Sequence, residues 1–352
     1  MLLRLVIAGM LAGPLAVAAQ DETATDTSLA PRPAQMAPRA VTSLLLDVVK
    51  AGDRWVAAGQ RGNILLSSDA KQWQQVAVPV DSTLTRLRFL DAQRGWAVGY
   101  DGTVLVTTDG GQSWTLSQFD ATWAKPYFDI HFLDAEHGLL AGANGALLAT
   151  ADGGKTWNPV TTDALEDQPN LYNLVRLGDG SLLLTGERGF IAHSADRGAS
   201  WRRLRSPYTG SFFGTVAVGE HGAVIFGLRG NAFHAADIGA AEVMSAETLQ
   251  ALRDAALDPE AATGNDNPVS EVPGWTALKS TEFESLYGGT VAEDGRVLLF
   301  GMNGHVMQAD LAAGQLRRLP IAPENNMNAG AVAGGDAIVV GTAGVQRFAL
   351  PQ

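Results

Sequence analysis

Three aspartates, Asp109, Asp152 and Asp196, each follow a Ser or Thr by two residues and precede another by four. Acids of this kind, brought together across a channel from distant parts of a chain, could serve glycoside hydrolysis. Their repetition argues for a structural role. Each lies in a Ser/Thr-x-Asp-x-Gly-x-Ser/Thr-Trp run, an Asp-box closed by Trp114, Trp157 or Trp201. Asp69 and Trp73 form a shortened copy. Asp237 opens one that never closes locally, and Trp275 resumes it after an insertion. An Asp side chain bonded to backbone N–H groups further along locks a turn, and the Trp is expected to bury its ring between neighbouring repeats. Other chemistry has little basis. The six His show neither His-x-x-x-His nor His-Glu-x-x-His spacing, and Gly-x-Ser-x-Gly is absent. No catalytic residue, metal or cofactor is expected.

The Asp-boxes belong to a longer period. Gly-x-x-Gly pairs preceded by an apolar strand occur at Gly59/Gly62, Gly99/Gly102, Gly142/Gly145, Gly186/Gly189, Gly227/Gly230, Gly301/Gly304 and Gly341/Gly344. The steps between first glycines are 40, 43, 44, 41, 74 and 40 residues, and all but the long one suit a four-stranded propeller blade. The fifteen residues ending at each first glycine align without gaps as strand, turn, strand. Gly-x-x-Gly then supplies the positive-φ positions of a second hairpin, so it is no phosphate cradle. The expected fold is all-β: a seven-bladed β-propeller of four-stranded antiparallel blades. The last repeat lacks a fourth strand, and residues near Met36 to Ala40 are expected to supply it and close the ring, removing exposed edges.

The first 19 residues read as a signal peptide, with Arg4, a short apolar run and Ala16-Val17-Ala18 before the cut. Residues 20–35 read as a flexible tether and 36–350 as the propeller. The chain is thus expected to be exported, periplasmic or equivalent, soluble after cleavage, and monomeric. There are no cysteines, which excludes disulfides, thiolate metal sites and a lipidated Cys. The net charge of −12 disfavours nucleic acid as a partner. Residues 238–274 are the extra material in blade five. They hold seven acids and one Arg, with a helix expected over Ser245 to Leu257 and a solvated loop beyond.

A binding surface is expected where the connections between blades meet the turns between second and third strands. The first window positions are Leu45, Thr85, Phe128, Tyr172, Phe213, Tyr287 and Met327, and Trp123, Tyr127, Tyr208 and Phe212 lie on the same loops. Arg61, Arg188 and Arg229 share one Gly-x-x-Gly position, and Arg86 follows Thr85. Arg and Tyr are residue types that dominate protein interfaces. Arg61, Arg86, Arg188, Arg229, Phe128, Tyr172, Phe213 and Tyr287 are therefore the candidate partner-binding residues.

The run from Asp91 to Trp114, "DAQRGWAVGYDGTVLVTTDGGQSW", together with the Asp-boxes and the seven repeats, resembles the photosystem II stability and assembly factor family. The likeness covers most of residues 41–350 and is strongest in blades two to four. It implies a lumenal or periplasmic propeller, without catalysis, that helps a membrane complex assemble through an arginine patch, with Arg61, Arg188 and Arg229 as counterparts. In a non-photosynthetic host the partner would be another envelope complex, such as an exporter of the resistance-nodulation-division type. Asp-boxes also occur in sialidases, which makes a glycan-binding or glycoside-hydrolysing propeller the alternative; the sialidase Arg-Ile-Pro motif is absent.

Overall fold

The computed structural model describes residues 29–256, 268–321 and 325–351. The chain divides into Met1–Ala30 and a compact unit from Pro31 onward. The expected signal peptide and residues 20–28 of the expected tether lie outside the described residues.

From Leu45 the chain forms seven antiparallel sheets, each adding its strands in chain order. The innermost strands are Leu45–Ala51, Leu84–Phe89, Tyr127–Phe132, Leu171–Arg176, Phe212–Val218, Leu286–Val291 and Met327–Ala333. Six sheets have four strands and the seventh has three. The core is correspondingly divided into seven clusters, each shared by two adjacent blades. A single blade has two apolar faces and covers neither, so burial is complete only when the ring closes. Trp114 is buried with Val56 and Ile64 of blade one, Trp201 with Leu139 and Leu147 of blade three. Trp157 packs edge-on against Phe132, which stacks on Trp96 of blade two.

The first glycine of each Gly-x-x-Gly pair does not supply positive φ. Gly59 and Gly227 are extended, at φ −175° and 179°. The first glycine answers a close approach instead. A Cβ on Gly59, Gly99, Gly142, Gly186, Gly227, Gly301 or Gly341 would lie 1.8–2.6 Å from a carbonyl oxygen at or just before the start of its own blade's first strand. That carbonyl accepts the N–H of the residue after the glycine, as from Gln60 to Leu44 and Thr342 to Asn326. The positive φ falls on the second glycine and, in blades one to six, on the third residue as well, as at Arg61 and Gly62.

Next to this contact every first strand has a β-bulge. The extra residues are Leu46, Thr85, Phe128, Tyr172, Phe213, Tyr287 and Asn328. The gapless alignment therefore slips by one in blades one and seven. Their first hairpins turn in two residues, Gly52-Asp53 and Gly334-Gly335, whereas the others use three or five. Leu45 and Met327 are core residues.

Residues 36–40 form no strand, and the seventh blade keeps three. Met36 and Ala37 pair in no ladder, and Ala40–Thr42 is a single 3-10 turn. Pro31, Pro33 and Pro38 remove N–H groups that a ladder requires. The described end of the expected tether is instead bound along blade one. Ala34 donates its N–H to Val78, and Gln75 bonds both the Gln35 carbonyl and the Ala37 N–H. The ring closes through the core shared by blades seven and one and a hydrogen bond from Asn328 Nδ2 to the Leu45 carbonyl at 2.9 Å.

The blade-five insertion begins on the Asp-box side, where Ile238 donates to His221. Its helix spans Ala246–Ala256, capped by Ser245 Oγ accepting from the Thr248 N–H. The described parts of the insertion outside that helix also cover the outer edge of blade four. Val243 bridges Leu204, Val269 bridges Tyr208, and Glu242 pairs with Arg205. Residues 257–267 lie outside the described residues.

Gly341→Ala is expected to cost about 2–3 kcal/mol, because its Cβ would fall 1.8 Å from the Asn326 carbonyl. Gly334→Ala, also in blade seven, has φ 60° and nothing within 4 Å, and should cost about 1 kcal/mol for its left-handed backbone alone. Denaturant unfolding of the two variants measures the difference.

Candidate functional site

The Asp-box aspartates are fully engaged within their own turns. Asp196 Oδ1 accepts from Ser194 Oγ at 2.8 Å and the Ser200 N–H at 2.9 Å, and Oδ2 accepts from Ser200 Oγ at 2.6 Å. Asp152 and Asp109 repeat the pattern with Thr150/Thr156 and Thr107/Ser113. Asp69 accepts from Ser67 Oγ and the Lys71 and Gln72 N–H groups. Donation to the ionised form holds these carboxyls low, Asp196 at about 2 through the Ser200 hydroxyl and N–H. A carboxylate so held is a poor proton donor at neutral pH. These turns bond to the first hairpins, as Gly110 does to Gln93 and Gly153 to Glu136, which fixes them on one face, here the lower.

The opposite, upper face is built from the blade connections and the Gly-x-x-Gly turns. The second glycines of blades one, three, four and six donate to connection carbonyls of Ser82, Pro169, Gly210 and Asn325. In blades three to six the bulge residue is aromatic. Phe128, Tyr172, Phe213 and Tyr287 then form a continuous half-buried arc across blades three to six, with ring centroids 5.3, 5.6 and 5.2 Å apart in turn. Burial pushes the Tyr172 and Tyr287 hydroxyls up. Where the bulge residue is polar, it bonds the next blade instead: Thr85 Oγ1 donates to the Tyr127 carbonyl at 2.6 Å, as Asn328 does to that of Leu45.

Arg61, Arg188 and Arg229 are exposed and share the left-handed conformation, with φ 56°, 51° and 57°. The same position is Asp101, Asn144 and Asn303 in other blades, residue types that adopt it more readily. Three arginines there bear a backbone cost of about 1–2 kcal/mol each, and such outliers mark functional positions. Arg188 and Arg229 lie in adjacent blades. Arg188 pairs with Glu187 at 3.1 Å and donates to the Asp167 carbonyl, and its charge reaches Tyr172. Arg61 stands apart in blade one, on a cleft of about 500 Å³ with Arg32 and Arg39. Those two arginines were missed by sequence reasoning because they lie in the segment read as tether and strand. Phe283 and Tyr100, 77% and 46% exposed, were also missed; each lies in a blade connection or Gly-x-x-Gly turn.

Arg86 is not on the exposed face. It lies half-buried in the channel wall, 3.7 Å from Asp129 and 3.8 Å from Asp47. Burial works against its charge and the two aspartates more than offset this, raising its pKa. Both aspartates also join blades: Asp47 accepts the Leu87 N–H, and Asp129 that of Leu174. Tyr127, Tyr208 and Phe212 are core residues as well. No group of acids, His or Cys among the described residues is arranged to hold a metal.

A family model described as "Photosynthesis system II assembly factor YCF48" matches residues 65–127 and 115–260, more than half of the chain. The chain belongs to this family. It is 41% identical over 134 residues to the photosystem II assembly lipoprotein Ycf48 of Picosynechococcus, covering 38% of this chain and 39% of that one. It is 32% identical over 60 residues to the photosystem II assembly protein Ycf48 of Thermosynechococcus vestitus, 17% of each chain. The matches thus span well under half the length of these curated Ycf48 relatives. Two solved Ycf48 structures share the fold: one described as bound to D1 peptide and one from Cyanidioschyzon merolae. Each has a TM-score of 0.64 at 16% identity, covering 91% and 89% of this chain and 97% of the other. The family match includes blades two to four, where the Asp-boxes are complete.

Two outcomes follow. Asp196 contributes stability above the ordinary carboxylate range, which should be lost as pH falls from about 4 to about 2; thermal midpoints of Asp196→Asn should vary less over that window. Arg86→Met leaves buried Asp47 without its cation and Asp129 with Arg88 alone and should destabilise by about 3 kcal/mol, read by urea unfolding at neutral pH.

Proposed function

We propose that this chain is an exported, non-catalytic propeller that binds a membrane protein complex during its assembly, and that the complex is of the photosystem II kind. The observation that carries this reading is the upper face: Arg188 and Arg229 held in left-handed turns of two blades that carry an arc of four touching aromatic rings, with Arg61 in a third such turn in blade one. Arginine recognises carboxylates through paired hydrogen bonds, and buried aromatics with arginine make up the energetic centre of protein interfaces. A peptide segment with a carboxylate is the matching partner, and family membership supports it. One solved relative is described as bound to D1 peptide, and the relatives named above are photosystem II proteins. None of them points to an exporter. The first nineteen residues support export. No helix among the described residues is long and apolar enough to cross a membrane. The Asp-box carboxylates, spent on their own turns and facing away from the arc, give a hydrolase reading no support.

The test is a photo-crosslinker at Tyr172 in cells, with captured proteins identified by mass spectrometry. One dominant membrane protein should be captured, and changing Arg61, Arg188 and Arg229 together to Glu should abolish the capture. Efficient labelling at a control site with no protein adduct at Tyr172 would overturn the interface. Capture of an exporter subunit would overturn the photosystem II assignment.

A further inference from the structure

The innermost strands enclose a channel of about 490 Å³, within the size range of small-molecule sites. Its charges are unevenly placed. Blades one to four contribute Lys50, Arg86, Arg88 and Arg176 to the wall, while blades five to seven contribute mainly Gly, Ala, Val and Thr. Arg86 is spent on Asp47 and Asp129, and Arg88 donates to Asp129 Oδ2 at 2.9 Å. Lys50 and Arg176 are exposed and have no ion-pair partner among the described residues; Lys50 lies over the Trp55 ring. Lys50, Arg88 and Arg176 all sit at or next to the lower ends of their strands. A chain with net charge −12 thus keeps a concentration of positive charge in a confined, partly desolvated cavity, where a field is focused.

We propose that the lower part of the channel binds a small organic oxyanion, its charged end held by Arg88, Arg176 and Lys50 and its uncharged body against the small residues around Thr290 and Ala331. The shared chemistry is that of a phosphate ester or a polycarboxylate, since guanidinium groups recognise both. His131 lines the same cavity. Burial first, then Arg88 and Arg176, push its pKa down to about 4, against the pull of Asp129 on its own strand. It is a neutral imidazole at pH 7, and an anion bound among these groups would favour its protonated form. The His131 pKa should therefore rise on binding, and affinity should increase as pH falls.

The experiment is a proton NMR titration of the His131 ring in the full chain, assigned with His131→Asn. Inorganic phosphate and citrate are the probes, with glycerol and sodium chloride at matched ionic strength as controls. A saturable upward shift of the His131 pKa with phosphate, citrate or both supports the site, and the stronger probe identifies the oxyanion class. Arg176→Gln should weaken binding about tenfold, the loss expected for one charge-assisted hydrogen bond, and Lys50→Gln should weaken it further. No saturable shift up to tens of millimolar, an equal shift with sodium chloride, or unchanged affinity in the double variant overturns the proposal. Arg176 and Lys50 lie at the opposite end of the channel from the Gly-x-x-Gly arginines, so failure of the partner-binding reading leaves this test unaffected.

Discussion

In each blade, one backbone contact fixes what the rest must do. A carbonyl at or just before the start of the first strand lies against the first glycine of Gly-x-x-Gly, too close for any Cβ. It accepts the next N–H, and the first strand bulges beside it. The bulge disrupts the ladder locally and aims one extra side chain out of it. In blades three to six this places four aromatic side chains in one continuous arc. The glycine, needed for packing, and the aromatic residue, available for binding, are thus two ends of one constraint.

Closure of the ring then depends on how neighbouring blades share apolar surface. Seven clusters, one per interface, replace a single core. The Asp-box serves that arrangement. Its carboxylate locks a tight turn by hydrogen bonds, and the turn delivers a Trp to the preceding blade. Where the last blade lacks a fourth strand, closure rests on apolar contact with blade one and on Asn328, while the N-terminal segment protects blade one's outer edge. The insertion does the same for blade four. Both are ways of occupying edge N–H and C=O groups that would otherwise invite pairing with another chain.

Charge is distributed against the overall balance. The acids that give the chain its net charge of −12 include the Asp-box carboxylates and the insertion. Cations collect at the upper turns and within the channel. The two sets differ in kind. The upper arginines sit on strained exposed turns with long reach, whereas the channel cations line a confined wall partly neutralised by Asp47 and Asp129. An exposed set suits a large partner, and a confined set suits a small one.

The repeat period, the Asp-boxes and the position of the insertion were legible in the sequence because local turn chemistry dictates them: glycine, Asp and Trp recur wherever the same blade is built. The aromatic arc was partly legible, since Phe128, Tyr172, Phe213 and Tyr287 share a window position. That Leu46 and Asn328, rather than Leu45 and Met327, are the bulge residues depends on hairpin length, which shifts register by one residue and is set by pairing. Arg86 reads the same as Arg61 in one dimension. Only the packing of blades brings Asp47 and Asp129 from either neighbour to within 4 Å of it, making it a half-buried clasp instead of a surface cation. The edge-binding of residues 32–37 was likewise decided by tertiary structure, because prolines bar a ladder strand and only the assembled blade offers the partners that hold the segment.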